Sequence, residues 1–383
     1  MRPGIDLFLE TPPHLGSACA LICAASSVSG QGHPVFRLIH KQIGQRLKAI
    51  WSLQHGFCND KQDNMILSQN FLHKDLQIPV LSLYGEQLQP QVEWLTGIDT
   101  LIVDIQDIGT RVYTFTNHLV KVARSLSGKT IRWILLDRPN PLGGIDLEGP
   151  ILSLSHRSIV GEISVPMRHA LSPGEYLRLA IKEEKLDIDL TVIPAQGWKR
   201  VDHHKGIWTL PSPNMPSPLT AHIYPGAVLL EGTNLSEGRG TTRPFELIGA
   251  PFIDAVLLAE HMNSLSGLAI TAIPMHFKPE YSKFKDELCN GILCYQPNPD
   301  LSRSFAFIYE LIRWTRHRYP ALFTWKRPPY EFEYHRLPID MICGGDSFRS
   351  AIEQNIPLVD WLKQSEAGFH QYRQRISEHL LYD

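Results

Sequence analysis

Excess positive charge is absent: 37 Lys and Arg stand against 39 Asp and Glu, a formal charge of −2 at neutral pH. A general nucleic-acid binder carries a large basic excess, so that class is disfavoured. Cysteine is sparse, and Cys19, Cys23, Cys58, Cys289, Cys294 and Cys343 include neither a C-x-x-C pair nor a cluster with histidine at zinc spacing. Buried free thiols and no metal are the expectation. Long apolar runs are also missing: MRPGIDLFLE places Asp6 and Glu10 where a signal peptide needs unbroken apolar residues, and the patch Ala18–Ala25 is too short for a membrane span. The expected setting is the cytoplasm, with no membrane partner. No G-x-G-x-x-G follows the first candidate strand and no Gly-Lys-Ser/Thr closes a glycine loop, which disfavours nucleotide cofactors. Without a G-x-S-x-G elbow or an H-E-x-x-H helix, serine hydrolysis of the α/β-hydrolase type and metal-dependent cleavage are not expected either. No cofactor is expected.

A chain of 383 residues exceeds the ~100–200 residues usual for one domain, so two domains with a cleft between them are predicted. The first half alternates short apolar runs with amphipathic stretches, the look of an α/β domain with a mainly parallel sheet. Candidate strands are Ala20–Ala24, Ala49–Ser52, Leu101–Ile105, Ile131–Leu136 and Leu190–Ile193, with helical spacing over Pro34–Leu47 and Thr116–Leu126. The proline run from Pro211 to Pro218 fixes φ repeatedly and removes donors, so the passage between domains falls there, with domains at 1–218 and 219–383. Beyond it, a helix near Phe252–Leu265, strands within Leu268–Tyr295, a helix at Arg303–Tyr319 and amphipathic helices from Ser347 to Leu381 make a smaller α+β domain.

Polar residues gather where such a sheet would border a cleft. LIVDIQDIG and IRWILLDRPNP end two strands in Asp104, Asp107, Asp137 and Arg138, and carboxyl ends of parallel strands share one rim. Gln106, Arg111 and Tyr113 crowd the first of these turns; Asn140, between two prolines, and Asn214, within PSPNMP, aim amides from extended backbone. LEGTNLSEGRGTTRPFELIGAP, Leu230–Pro251, mixes Glu231, Asn234, Glu237, Arg239 and Thr241 with three glycines. A satisfied surface loop has the same composition. His55 and His169 are candidate proton carriers, whereas His203-His204 reads as a solvated pair. Carboxylates, arginine and amides without a metal cage point first to glycoside hydrolysis.

The succession LYG (Leu83–Gly85), DIQDIGTRVYT (Asp104–Thr114), LDRPNPLGG (Leu136–Gly144), EGP (Glu148–Pro150), RH (Arg168–His169), GE (Gly174–Glu175), GW-x-R (Gly197–Arg200), PSPNMP, YPG (Tyr224–Gly226) and EGTNLSEGRGTT resembles the NamZ-like exo-β-N-acetylmuramidases from about Gly4 onward. The resemblance implies a Rossmann-like N-terminal domain, a smaller C-terminal domain and an active site in the cleft between them. It further implies release of N-acetylmuramic acid from the non-reducing end of peptidoglycan fragments, a ligand of the MurNAc-GlcNAc type. On that basis Gln54, His55, Asp104 and Glu231 are the catalytic candidates. Asp107, Arg111, Arg138, Asn140, His169, Asn214, Asn234, Glu237, Arg239 and Thr241 are the substrate-binding ones, with Arg239 and the Gly238–Thr242 amides facing the lactyl carboxylate. One departure stands out: the family has Pro-Glu-His-Gly where this chain reads Leu53-Gln54-His55-Gly56, and an amide cannot serve as a general acid, base or carboxylate nucleophile. A sugar-binding protein that keeps the cleft but lacks turnover is therefore the second reading.

Overall fold

The computed structural model describes residues 1–85 and 88–383. Seven strands form the N-terminal sheet: β1 (Cys19–Ile22), β2 (Leu47–Ser52), β3 (Phe71–His73), β4 (Ile78–Ser82), β5 (Thr100–Val103), β6 (Arg132–Leu136) and β7 (Leu190–Ile193). Their order is β3-β4-β2-β1-β5-β6-β7, parallel throughout except for the β3 edge. β1 sits in the middle, so the chain first winds outward through β2 and then returns to wind the other way through β5. That reversal opens a crevice at the strands' carboxyl ends.

The central strands read as continuous apolar runs because both sheet faces are covered. Ala20 and Ile22 of β1, Leu101 and Val103 of β5 and Trp133 and Leu135 of β6 pack into the larger core with α3 (Thr114–Leu126) and α4 (Pro173–Glu184). The alternate residues Cys19, Leu21, Ile102 and Ile134 face the other core, beneath α1 (Gly4–Glu10) and α2 (Val35–Ile43). The period of two along each strand thus divides one apolar run between two cores. α4 starts at a capping box, Ser172 accepting from the Glu175 amide while Glu175 accepts from that of Ser172.

The C-terminal domain begins with α5 (Pro218–Ala227) and holds an antiparallel sheet of β8 (Leu247–Ala250), β9 (Thr271–Phe277) and β10 (Cys289–Tyr295), ordered β8-β10-β9. α6 (Ala255–Asn263), α7 (Ser304–Arg318), α8 (Pro338–Cys343), α9 (Ser347–Glu353), α10 (Leu358–Ser365) and α11 (Phe369–Ile376) complete it. The domains are sewn together. The Arg111 guanidinium, fully buried, donates to the carbonyls of Pro150 and Val165 and, across the seam, of Ile342 in α8. The last residues return to the first domain: Tyr382 donates to Asp137 at the end of β6, 2.6 Å, and the Leu381 amide to Glu175, 2.8 Å. All six cysteines are free and only Cys58 is exposed. Among the described residues no helix is long and apolar enough to cross a membrane.

Candidate active site

A narrow chamber with about 30 Å³ of free space lies between the domains. The turn after β2 brings Gln54 and His55, the turn after β5 brings Val112–Thr114, and the C-terminal domain contributes Tyr224, Glu231, Arg239, Phe245, Tyr330 and Glu331. Asn64, Glu231 and Arg239 also border an outer bay of about 340 Å³, whose other walls include Asp63, Asn234, Glu237, Lys283 and Lys326. Two glycines let the Glu231–Arg239 loop close on the site. Gly238 and Gly240 have φ of 75° and 82°, and a Cβ at 240 would come within 2.6 Å of the Tyr281 carbonyl.

Gln54 is buried, and its orientation is set by three contacts. The Thr114 hydroxyl donates to Oε1, so Nε2 turns to the Glu331 carboxylate at 2.7 Å and the Tyr84 hydroxyl at 3.2 Å. Tyr84 donates to the second oxygen of Glu331, 2.6 Å. Burial pushes the Glu331 carboxyl up to about 7, against the pull of the Tyr84 and Gln54 hydrogen bonds. Glu231 stands in a different setting, with Arg239 at 2.6 Å and the Tyr330 hydroxyl at 2.8 Å. Arg239 also donates to the Gln62 carbonyl at 2.9 Å, lies 3.5 Å from Glu237 and 3.7 Å from Asp63, and stacks 5.2 Å from the Phe245 ring centre. Burial works to raise the Glu237 carboxyl, but Lys283, 2.8 Å away, and Arg239 hold it below its ordinary value.

His55 has φ of 69°, and its Nδ1 donates to the Lys61 carbonyl at 2.8 Å, which leaves Nε2 with a lone pair. Burial lowers its pKa to about 4, so the ring is neutral near pH 7. An aromatic wall completes the chamber. Tyr224 packs edge-on against Tyr113 and Phe245, with centroids 6.4 and 4.8 Å away, and the Tyr113 hydroxyl, beside Ser212, makes no well-formed hydrogen bond among the described residues.

Of the sequence candidates, Gln54, His55, Asn214, Glu231 and Arg239 therefore converge on the chamber, while Asn234 and Glu237 line the bay. Asn234 spends its amide on the chain at Leu322 and Thr324. Thr241 lines a neighbouring depression shared with Asn214, its hydroxyl donating to the Gly238 carbonyl. The others are drawn into the scaffold. Asp104 does reach the strand-end rim, but Arg138 caps it at 2.8 Å and also binds the Val28 carbonyl. Asp107 accepts from the Gly109 amide and the Thr116 hydroxyl, and burial raises its pKa to about 7. Asn140 bridges Leu171 and Leu142, and His169, fully buried, accepts from the Leu171 amide. Arg111 is the interdomain tie described above. Apart from Asp104, whose carboxylate pairs only with Arg138, each of these side chains satisfies backbone that the turns leave unpaired.

Glu331, Tyr84, Tyr330, Lys283 and Lys326 escaped the sequence reading. The string RPPYEFEY, Arg327–Tyr334, alternates aromatics with glutamates behind two prolines and was the available signal. His203 also differs from its expectation: it is mostly buried, its ring stacks on His222 with centroids 5.2 Å apart, and with Asp300 these two place ligand atoms within 4.8 Å of one another, away from the chamber.

Paired carboxylates framed by tyrosines, at the carboxyl rim of a parallel sheet and closed by a second domain, make a carboxylate-lined interdomain cleft of the kind glycoside hydrolysis requires. Residues 19–219 match the family described as "Exo-beta-N-acetylmuramidase NamZ, N-terminal", and residues 222–382 match its C-terminal counterpart. The chain belongs to the NamZ family. It is 33% identical to the peptidoglycan beta-N-acetylmuramidase NamZ of Bacillus subtilis over all of this chain and 91% of that protein. Crystal structures of two DUF1343 family proteins from Bacteroides fragilis share the fold across 100% of this chain and 99% of theirs. One has a TM-score of 0.88 at 25% identity and the other 0.74 at 24%.

Proposed function

We propose that the protein hydrolyses peptidoglycan-derived amino sugars, releasing N-acetylmuramic acid from the non-reducing end of fragments of the MurNAc-GlcNAc type. The observation that carries this reading is the presence of two buried carboxylates, Glu231 and Glu331, in one chamber of a NamZ-family chain. Glycosidic cleavage needs a carboxyl that gives a proton and a carboxylate that answers the positive charge developing at C1. The chamber is narrow and adjoins the wider bay at Asn64, Glu231 and Arg239, so the terminal sugar is assigned to the bay with its glycosidic bond turned toward the chamber. Arg239 is committed to Glu231, Glu237 and Gln62, and the Gly238 and Thr241 amides are used within their own turn. Among the described residues Lys326 is the bay cation without an ion-pair partner, so the lactyl carboxylate is assigned to it.

Incubation with a chromogenic N-acetylmuramide beside the matching N-acetylglucosaminide tests the proposal. Faster release from the muramide is expected. Gln54 favours the second reading, a binding protein without turnover, and tight binding of both fragment and sugar with no release from either substrate would establish it.

A further inference from the structure

The chamber treats its two carboxylates differently. Glu231 has a guanidinium and a hydroxyl on its oxygens. Glu331 has no cation at hydrogen-bond distance; an amide and a phenol hold it. The phenol's direction is fixed, since the Tyr84 oxygen accepts from the Met65 amide at 2.8 Å and from Gln54 Nε2 at 3.2 Å, which leaves its own hydrogen for Glu331. The chain also carries Glu331 and Phe332 at φ of 48° and 61°, a left-handed backbone that residues with side chains rarely adopt and that persists where a site demands it.

We infer that Glu331 is the residue that exchanges the proton with the glycosidic oxygen, and that Gln54 positions it. The inference rests on the hydrolase reading above. Protonated Glu331 gives its hydrogen to the glycosidic oxygen as the C1–O bond breaks, and the bonding electron pair leaves on that oxygen, now the hydroxyl of the departing sugar. Glu231 faces the cationic C1. A water molecule then bonds to C1 through its oxygen, and the proton it sheds returns to Glu331. One water is consumed, and both carboxyls end as they began.

Gln54 bears on this directly. A glutamate at position 54 would set a second carboxyl about where the amide nitrogen now lies, 2.7 Å from Glu331, and two carboxyls that close share a proton. With the amide in place, the site holds one titrating partner fewer and Glu331 titrates on its own. The charged and titratable groups around it are Tyr84 from the loop after β4, Tyr224 of α5, Glu231 and Arg239 of the glycine loop, and Tyr330 beside it.

The test compares wild type, Glu331→Gln and Gln54→Glu on a MurNAc-GlcNAc disaccharide and on 4-nitrophenyl muramide, with circular dichroism to verify folding. The disaccharide has a poor leaving group that needs a proton; nitrophenolate leaves without one. Glu331→Gln is expected to lose ~10²–10⁴-fold in kcat on the disaccharide and much less on the aryl substrate. Gln54→Glu keeps Glu331 and is expected to move the alkaline limb of the disaccharide pH profile upward, because the added carboxyl holds the shared proton longer. Equal losses on both substrates, or an unmoved limb, would make Glu331 structural and overturn the inference. An active wild type with an equally active Glu331→Gln overturns it while the hydrolase reading stands. A wild type inactive on both substrates overturns both.

Discussion

Replacing Arg239 by methionine tests whether this arginine serves the scaffold or the sugar. The substitution keeps much of the aliphatic stem over Phe245 but strips the charge from a point 2.6 Å from Glu231 and 3.5 Å from Glu237. Breaking a buried pair by removing one partner costs about 3–5 kcal/mol, since the remaining charge stays buried without compensation. Here Tyr330 still holds Glu231 and Lys283 still holds Glu237, so the lower end, about 3 kcal/mol, is expected. With an unfolding entropy of about 2.1 cal/mol/K per residue, about 0.8 kcal/mol/K for 383 residues, the thermal midpoint falls by roughly 4 °C. The assay is urea unfolding followed by circular dichroism, with the denaturant slope unchanged. The Arg239→Met/Glu231→Gln double variant should recover part of the loss, because neutralising the glutamate removes the stranded charge. A loss below about 1 kcal/mol in the single variant, or strict additivity in the double, would refute the assignment of Arg239 as a counter-ion.

Lys326→Ala is expected to raise KM for a muramide by roughly 10-fold or more, the worth of a charge-assisted hydrogen bond, and to leave the glucosaminide unaffected; equal effects on both sugars would remove Lys326 from lactyl recognition. Asp104→Asn leaves Arg138 buried beside a neutral amide, so stability should fall by about 1–3 kcal/mol while turnover per folded molecule is unchanged. A tenfold fall in kcat with full folding would place Asp104 in the chemistry. His118, held to about 4 by burial and donating to the Leu83 carbonyl, stays neutral in the folded chain while its unfolded counterpart protonates near ~6.5. The unfolded state binds more protons in that window, so the His118 contribution is complete above ~6.5, shrinks towards pH 4, and is down by about 2 kcal/mol at pH 5. His118→Gln should accordingly flatten the urea-midpoint change between pH 7 and 5, and an identical pH dependence in the two proteins would contradict this.

The N-terminal sheet was legible because burial on both faces writes itself as apolar runs: Leu190–Ile193 was read to the residue, and Thr116–Leu126 missed only the first two residues of α3. β3 and β4 were not read. IPVLS of β4 carries a proline and three partly exposed residues beside the short β3 edge strand, so it shows neither an unbroken apolar run nor a clean alternation. α5 hid behind Pro218 and Pro225, which signal interruption locally although Pro218 sits at the tolerated first position. Within the site, the glycine loop was recognisable from its own composition. Which strand-end acids face inward was not, because Asp104 finds its partner Arg138 34 residues on, and Glu331 meets Gln54 across 277 residues. The first pairing depends on which strands become neighbours in the sheet and the second on where the second domain lands, and local pattern carries no record of either.

The return of Tyr382 and Leu381 to the first domain has a consequence for synthesis. Asp137 and Glu175 take part of their hydrogen bonding from the final residues of the chain, and Glu331 enters the chamber nearly as late. At ~5–20 residues per second, the stretch beyond Ala227 takes roughly 8–30 s to emerge, and throughout that interval the early sheet exists without its last two hydrogen-bond donors and without a chamber. A nascent chain consequently carries the early sheet well before it can assemble the chamber, since Glu231 and Glu331 reach Gln54 only after most of the second domain has emerged.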